Sequence, residues 1–258
     1  HRKLHHRPDR LSPDKGQPRQ MVPTEHIVSS FDRDLEGIQA SIMRMGGLVE
    51  DAIAKSAQAF DQRDPELARE VRKGDASIDA LDQQISEEAA RIIAQRQPIA
   101  QDLRVVLSVF RISTNLERIG DYAKNIAKRA EVIMDHPPVN GTGASLRRMA
   151  RQVELMLKDV LDAYIQRDVD KATDVRERDL EVDQMYSALF REYLTFMMED
   201  PRNITTCMHL HFMAKNIERM GDHVTSIAEQ VIYLVTGEMP EDDRPKQDRT
   251  AHDAGEPK

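Results

Sequence analysis

Residues 115–127, NLERIGDYAKNIA, recur 101 positions later as residues 216–228, NIERMGDHVTSIA, with seven of the thirteen positions identical. Upstream of each copy the match continues at an offset of 104, where Arg63-Asp64, Asp75 and Asp79 correspond to Arg167-Asp168, Asp179 and Asp183. A repeat of about 100 residues means that one supersecondary unit has been used twice, so whatever the first half folds into, the second half must fold into as well.

The unit is helical. Phe31, Leu35, Ile38, Ile42, Met45, Val49 and Ala52 recur at steps of three and four, which lines them along one helix face. Asp64-Pro65 supplies an N-cap and a first-turn proline for a second helix, whose stripe is Leu67, Val71, Gly74, Ile78, Leu81, Ile85 and Ile92. Pro98 ends that helix and opens a third, with Val105, Val109, Ile112, Leu116, Ile119, Ala123, Ile126, Ala130 and Ile133. The run Pro137-Pro138-Val139-Asn140-Gly141-Thr142-Gly143 breaks helical structure. Three more helices follow: Leu146, Met149, Val153, Met156 and Val160; then Val175, Val182, Met185, Leu189 and Phe196; then, from Asp200-Pro201, Leu210 through Leu234. Helices of about 30 residues extend about 45 Å. Aromatic residues are only 4% of the chain and Trp is absent, which disfavours a β-sandwich or barrel. The expected fold class is therefore all-α, two tandem three-helix bundles related by internal duplication. The expected boundaries are a disordered basic tail over 1–24, a first bundle over 25–136, a linker over 137–144, a second bundle over 145–237 and a disordered acidic tail over 238–258.

Both ends are polar and Pro-rich, with a net charge of +4 over residues 1–20 and −3 over 238–258, and such compositions cannot bury enough apolar surface to order themselves. Residues 1–20 read as an extension ahead of the first Met, Met21, and the His1, His5 and His6 group within them as a solvated tail. The overall charge of −8 argues against a nucleic-acid partner. A single cysteine, Cys207, allows no internal disulfide and suits a reducing compartment. No run approaches the roughly 20 apolar residues of a membrane span. There is no Gly-rich phosphate loop, no GxSxG and no Cys/His pairing, so no catalytic constellation is present. Without such a loop or a basic pocket, direct binding of inorganic phosphate is not expected.

The chemistry-bearing feature is acidic. Glu117 and Asp121 stand four apart, as do Glu218 and Asp222, and Asp75/Asp79 and Asp179/Asp183 repeat the spacing on the preceding helix. Four residues is one turn, so each pair shares a face, and like charges there repel. If the two faces of a unit meet, four carboxylates converge and require a cation; all-oxygen donor sets suit hard ions such as Mg²⁺, Ca²⁺ and Mn²⁺, and also iron. The alternative is that the acids are solvated, or pair with Arg91, Arg118 or Arg219. Gly120 and Gly221 cost about 1 kcal/mol each in a helix interior, so their position beside the Asp implies a need for backbone clearance, from a cation cluster or a tight helix crossing. His209, His211 and His223 have no counterparts in the first copy and read as surface or interface residues.

The segments His26–Asp32 (HIVSSFD), Met45–Glu50 (MGGLVE) and Arg96–Arg104 (RQPIAQDLR), with the twin Glu-Arg-x-Gly-Asp motifs, resemble the PhoU family of phosphate-transport accessory proteins. The resemblance covers about residues 25–237. It implies a cytoplasmic, non-enzymatic, dimerising regulator that damps the phosphate-starvation response. In that role it would link the transporter ATPase PstB to the sensor histidine kinase PhoR, limit phosphate uptake, and meet the membrane only peripherally, through its partners. It also implies a multinuclear metal cluster on E(D)xxxD motifs: iron, or a divalent cation such as Mg, Mn, Ca or Zn. Carried over, the ligands are Glu117 and Asp121, Glu218 and Asp222, with Asp75, Asp79, Asp179 and Asp183 as partners. A further Asp often follows four residues on in that family; here Asn125 and Ser226 stand there, which lowers the charge available to a metal. Two other classes fit the residues less well: a carboxylate-bridged, ferritin-like di-metal bundle, which lacks its Glu-x-x-His, and a metal-free helical adaptor.

Overall fold

The computed structural model describes residues 24–241, with side chains from Ser30 onward; the expectations for residues 1–23 and 242–258 lie outside the described residues. Six helices follow one another: α1 Thr24–Gln62, α2 Pro65–Arg96, α3 Ala100–Ile133, α4 Thr142–Gln166, α5 Val169–Glu199 and α6 Ile204–Thr236, with a 3-10 turn at Pro201–Asn203. Among the described residues there is no strand.

The joints between helices repeat in atomic detail. Arg63 and Arg167 close α1 and α4 in the left-handed conformation, at φ 51° and 55°. The next residues, Asp64 and Asp168, are extended N-caps: the Asp64 carboxylate accepts from the Glu66 and Leu67 amides, and that of Asp168 from the Lys171 amide. Pro65 at the first position of α2 has no amide to leave unsatisfied. One difference from the sequence reading is the inter-repeat linker. α4 already begins at Thr142, after Gly141 turns the chain at φ 88°, so Thr142, Gly143 and Ala144 are helical. The Thr142 hydroxyl donates to the Val139 carbonyl and ties the turn down. On α3 the fully buried stripe begins at Val106, with Val105 only partly buried.

Within each repeat the three helices pack on one another, and the repeats join through two like-with-like seams, α1 against α4 and α3 against α6. Both seams are antiparallel. Along α3–α6, Arg104 stacks on the Tyr233 ring at 5.7 Å, Asn115 meets His223 at 2.8 Å, and Arg129 meets His209 at 3.2 Å. Equivalent helices crossing antiparallel place the two halves around a local twofold. Most of the buried apolar residues, drawn from all six helices, form one continuous cluster, from Ile38 and Ile42 on α1 to Val231 and Leu234 on α6, and Ala59, Ala68, Val71 and Ala127 form a small second one. Each fully buried Leu, Ile or Met contributes about 1.5–3 kcal/mol to the transfer from water. The rods are therefore rigid carriers for whatever their polar faces hold.

Candidate functional site

In the first repeat the geometry expected of the acids is met in part. Asp75 and Asp79 project from α2 and Asp121 from α3, and each offers an oxygen within 4.8 Å of the others. Asp75 is 3% exposed, and among the described residues its Oδ1 has no hydrogen-bond partner. Glu117, half-buried, stands one turn before Asp121. Its carboxyl is pushed up to about 7, by burial first and by the adjacent Asp121 charge second. Asp79 is raised as well, by burial and then by Asp75 and Asp121. Both shifts have the sign of carboxylates crowded together with less water than they need.

The sequence reading did not find the cation that answers this crowding. Lys124 reaches from α3 to place its Nζ 2.6 Å from Asp75 Oδ2 and 3.9 Å from Asp121 Oδ1, and the Asp75 hydrogen bond holds its ammonium above the ordinary lysine range. The signal was available, because Lys124 lies three residues after Asp121 and so shares its face. Of the arginines considered as partners, Arg118 approaches Glu117 only at 4.0 Å.

The second repeat arranges the same acids differently. Asp179 and Asp183 are each 3% exposed and Glu218 is 6% exposed, with Asp222 half-buried. No three of them gather within 4.8 Å among the described residues. Position 124 becomes Thr225, whose hydroxyl donates to the Gly221 carbonyl. The lysine here is Lys215, three residues before Glu218 instead of after the Asp, with Nζ 3.0 Å from Glu218 Oε2. Asn125 is exposed, and Ser226 turns its hydroxyl back to the Asp222 carbonyl.

The glycines explain how carboxylates fit between packed helices. A Cβ on Gly221 would lie 2.8 Å from Asp179 Oδ1, and one on Gly120 would lie 3.1 Å from Ile78 Cδ1 and 3.6 Å from Asp75 Oδ1. The missing side chain on α3 or α6 is the space into which the buried Asp of the neighbouring helix is set. The clearance thus serves a tight crossing and an acid at once. The donor set of the first repeat fits a hard cation: three carboxylates in reach of one point, a fourth one turn away, and a buried oxygen with no partner among the described residues. His209 and His211 stand apart from it, His209 on Arg129 and His211 among Tyr186, Phe190 and Phe212.

Comparison with known proteins places the whole bundle. Residues 42–130 and 146–231 each match the family model described as the PhoU domain. The chain belongs to the PhoU family. It is 46% identical over 226 residues to the phosphate-specific transport system accessory protein PhoU homolog of Rhizobium meliloti (strain 1021), covering 88% of this chain and 95% of that one. The homolog of Caulobacter vibrioides (strain NA1000 / CB15N) is 47% identical over 225 residues, 87% of this chain and 98% of that one. The crystal structure of PhoU from Pseudomonas aeruginosa superposes with a TM-score of 0.78 at 38% identity, over 81% of this chain and 100% of that chain. The phosphate transport system regulatory protein PhoU from Streptococcus pneumoniae gives 0.76 at 29% identity, over 82% and 99%. The two matched segments of the family model are the two copies read from the duplicated motif.

No described helix is long and apolar enough to cross a membrane.

Proposed function

We propose that the chain is a non-enzymatic regulator of phosphate homeostasis, acting as the accessory protein of a phosphate-specific ABC transporter. In this reading it represses the phosphate-starvation regulon and restrains uptake by docking both the transporter ATPase (PstB) and the sensor histidine kinase (PhoR) from the cytoplasm. The observation that carries the reading is family membership over both repeats at close to half identity, with relatives that bear the accessory-protein name. A rigid six-helix platform without a catalytic constellation supports a role in which state is communicated through docking. The test is genetic and biochemical. Deleting the gene in phosphate-rich medium should derepress phosphate-responsive genes, and the tagged protein should co-purify with the ATPase and the kinase sensor region. Normal repression after deletion would refute the regulatory role.

The acid groups enter this reading as cation sites. Asp75, Asp79 and Asp121 with Glu117, and in the second repeat Asp179, Asp183, Glu218 and Asp222, would hold one or more hard cations, iron or a divalent ion. A bound cation would supply charge neutralisation between α2 and α3, and between α5 and α6, in place of the lysines. Elemental analysis of the wild type and of Asp121→Ala plus Asp222→Ala tests this: metal in the first and its loss in the second support it, and metal-free wild type under replete conditions overturns it. Homodimerisation, which the family resemblance implies, is checked by sedimentation.

A further inference from the structure

The register of the α3–α6 seam brings together two residues that the sequence separates by 101 positions. Arg104 faces Tyr233, Asn115 faces His223 and Arg129 faces His209, so each step forward along α3 is met by an equal step backward along α6. The same register sets Arg118 opposite Arg219. These are the arginines of the two Glu-Arg-x-Gly-Asp motifs, at equivalent positions on either side of the local twofold. Both are exposed; the Arg118 side chain retains 59% of its accessible surface. Arg219 forms no ion pair among the described residues, and Arg118 has only Glu117, at 4.0 Å. Packed helices lie about 8–10 Å apart, a gap that two arginine side chains span between them. Two exposed guanidiniums facing each other repel weakly in water, and neither is fixed by a close ion pair among the described residues, so both forks are available to an outside anion.

The neighbouring groups are polar in the same sense. His223 sits in the seam with its Nδ1 2.8 Å from Asn115 Oδ1 and its ring 5.7 Å from that of Tyr122. With Nδ1–H donating to the amide oxygen, Nε2 of the neutral ring is an acceptor, so the ring orients Asn115 and does not itself donate to an anion. Burial holds the His223 ring below the ordinary imidazole range; the Asp222 charge opposes this, and Arg118 and Arg219 add to it, each more weakly than Asp222 opposes it. Asn115 donates one amide hydrogen to the Arg111 carbonyl and holds its orientation by that bond.

We propose that this seam is a binding site for a phosphate group, held between Arg118 and Arg219, with the second amide hydrogen of Asn115 to donate to it and His223 beside it as a neighbour. The ligand class follows from the donors. Guanidinium forks form paired hydrogen bonds with oxyanions. A tetrahedral dianion offers oxygens to two forks approaching from opposite sides and balances both charges, whereas one planar monoanionic carboxylate can fully serve only one. The flanking acids of the two motifs oppose the anion, and neutralising them favours it, so the site binds most tightly when the carboxylate groups carry cations. The inference rests on the seam register and stands or falls apart from the regulatory role proposed above.

The experiment is titration of the full chain with inorganic phosphate by calorimetry at low ionic strength. A parallel titration uses phenyl phosphate, and ¹⁵N side-chain spectra follow His223. Wild type should bind with a shift of the His223 ring nitrogens. Arg118→Gln and Arg219→Gln should each weaken binding by roughly tenfold or more, the usual range for one charged hydrogen-bonding partner. The two effects should be similar, since the pair is related by the local twofold. The double Lys variant should recover part of the affinity through charge without the fork. Arg148→Gln, which loses a hydrogen bond to Ser145 on α4, should bind as wild type. Equal affinity for phenyl phosphate assigns the site to phosphate groups carried on another molecule, and preference for the inorganic ion assigns it to the free anion; both sustain the site. Unchanged melting temperatures separate lost binding from lost folding. Absence of phosphate binding by the wild type, or wild-type binding in the double Gln variant, overturns the proposal while leaving the gene-deletion result untouched.

Discussion

Replacing Lys124 with Met isolates the cost of the acid cluster, because Met keeps most of the side chain's length and removes only the charge. Asp75 is 3% exposed and shares its surroundings with Asp79 and Asp121. The ammonium at 2.6 Å is the close cation that offsets it. Breaking a buried pair by removing one partner costs about 3–5 kcal/mol, and one hydrogen bond to a charged group contributes about 1.5–3 kcal/mol. The Lys124 side chain is 29% exposed, so water screens part of the interaction and the lower figures apply: about 2 kcal/mol. For a chain of this length that is a fall in Tm of about 4–8 °C. The assay is urea unfolding near neutral pH with chelator present. Asp75→Asn in the Lys124→Met background should restore most of the loss, since a neutral amide leaves no stranded charge. Adding a divalent cation should stabilise Lys124→Met more than wild type, because the ion no longer competes with the ammonium. A loss under about 0.5 kcal/mol, the range of ordinary surface changes, would refute the reasoning: the acids would then tolerate one another without a counter-ion.

Glu117→Gln tests the crowding through pH. The folded carboxyl is raised to about 7 from 4.5, so the fold favours the protonated form and wild-type stability declines as pH rises from about 4.5 through about 7. The variant should lack that decline and outlast wild type in urea at about pH 8; the same difference at about pH 5 and pH 8 would contradict it. Gly221→Ala should be the more damaging of the two motif glycine changes, because its Cβ would meet a buried carboxylate oxygen at 2.8 Å while that of Gly120→Ala meets the movable end of Ile78 at 3.1 Å. Alanine gains about 1 kcal/mol in helix propensity at either site, so Gly120→Ala should fall within about 1 kcal/mol of wild type and Gly221→Ala about 1–3 kcal/mol below it, as read by thermal melts. Asp64→Ala and Asp168→Ala should each lose about 1 kcal/mol of cap energy, and equal losses would confirm that the two joints are energetic as well as geometric copies.

The parts of the molecule that were legible in the sequence are those governed by local rules. Helix α2 begins where Asp64-Pro65 says it must, since an N-cap and a first-turn proline act through their own backbone. The apolar stripes mark the buried faces because a period of 3.6 residues is a property of one helix. The linker was misjudged by three residues at Thr142 because a hydroxyl bond to the Val139 carbonyl lets the helix start inside a breaker-rich run. Lys124 was missed for a different reason. Its spacing was visible, but its role depends on Asp75 arriving from another helix, and the second copy gives no confirmation because Thr225 stands in its place.

How the copies face one another is the least local fact, and the functional inferences turn on it. A tandem duplication can stack head-to-tail as a solenoid or close around a twofold. The motif favours neither, since its letters are the same in both arrangements. The choice is made by pairs that have meaning only across the seam: Arg147 with Asp61 between α4 and α1, and Asn115 with His223 between α3 and α6. Once the seams are antiparallel, motif residues on the seam side of α3 and α6 face the other copy, while Gly120, Asp121 and Gly221 face the preceding helix of their own copy. Tyr122 and His223, at equivalent positions near the crossing, touch each other, one copy supplying an aromatic ring and the other an imidazole that hydrogen-bonds Asn115. Arg118 and Arg219, one turn earlier on each helix, have stayed the same. Packing explains the identity of buried Gly120 and Gly221, Ile126 and Ile227, and Ala127 and Ala228, but not that of the exposed arginine pair. In the proposed site that identity serves the anion, and exchange of both arginines for glutamine separates binding from the stability of the fold.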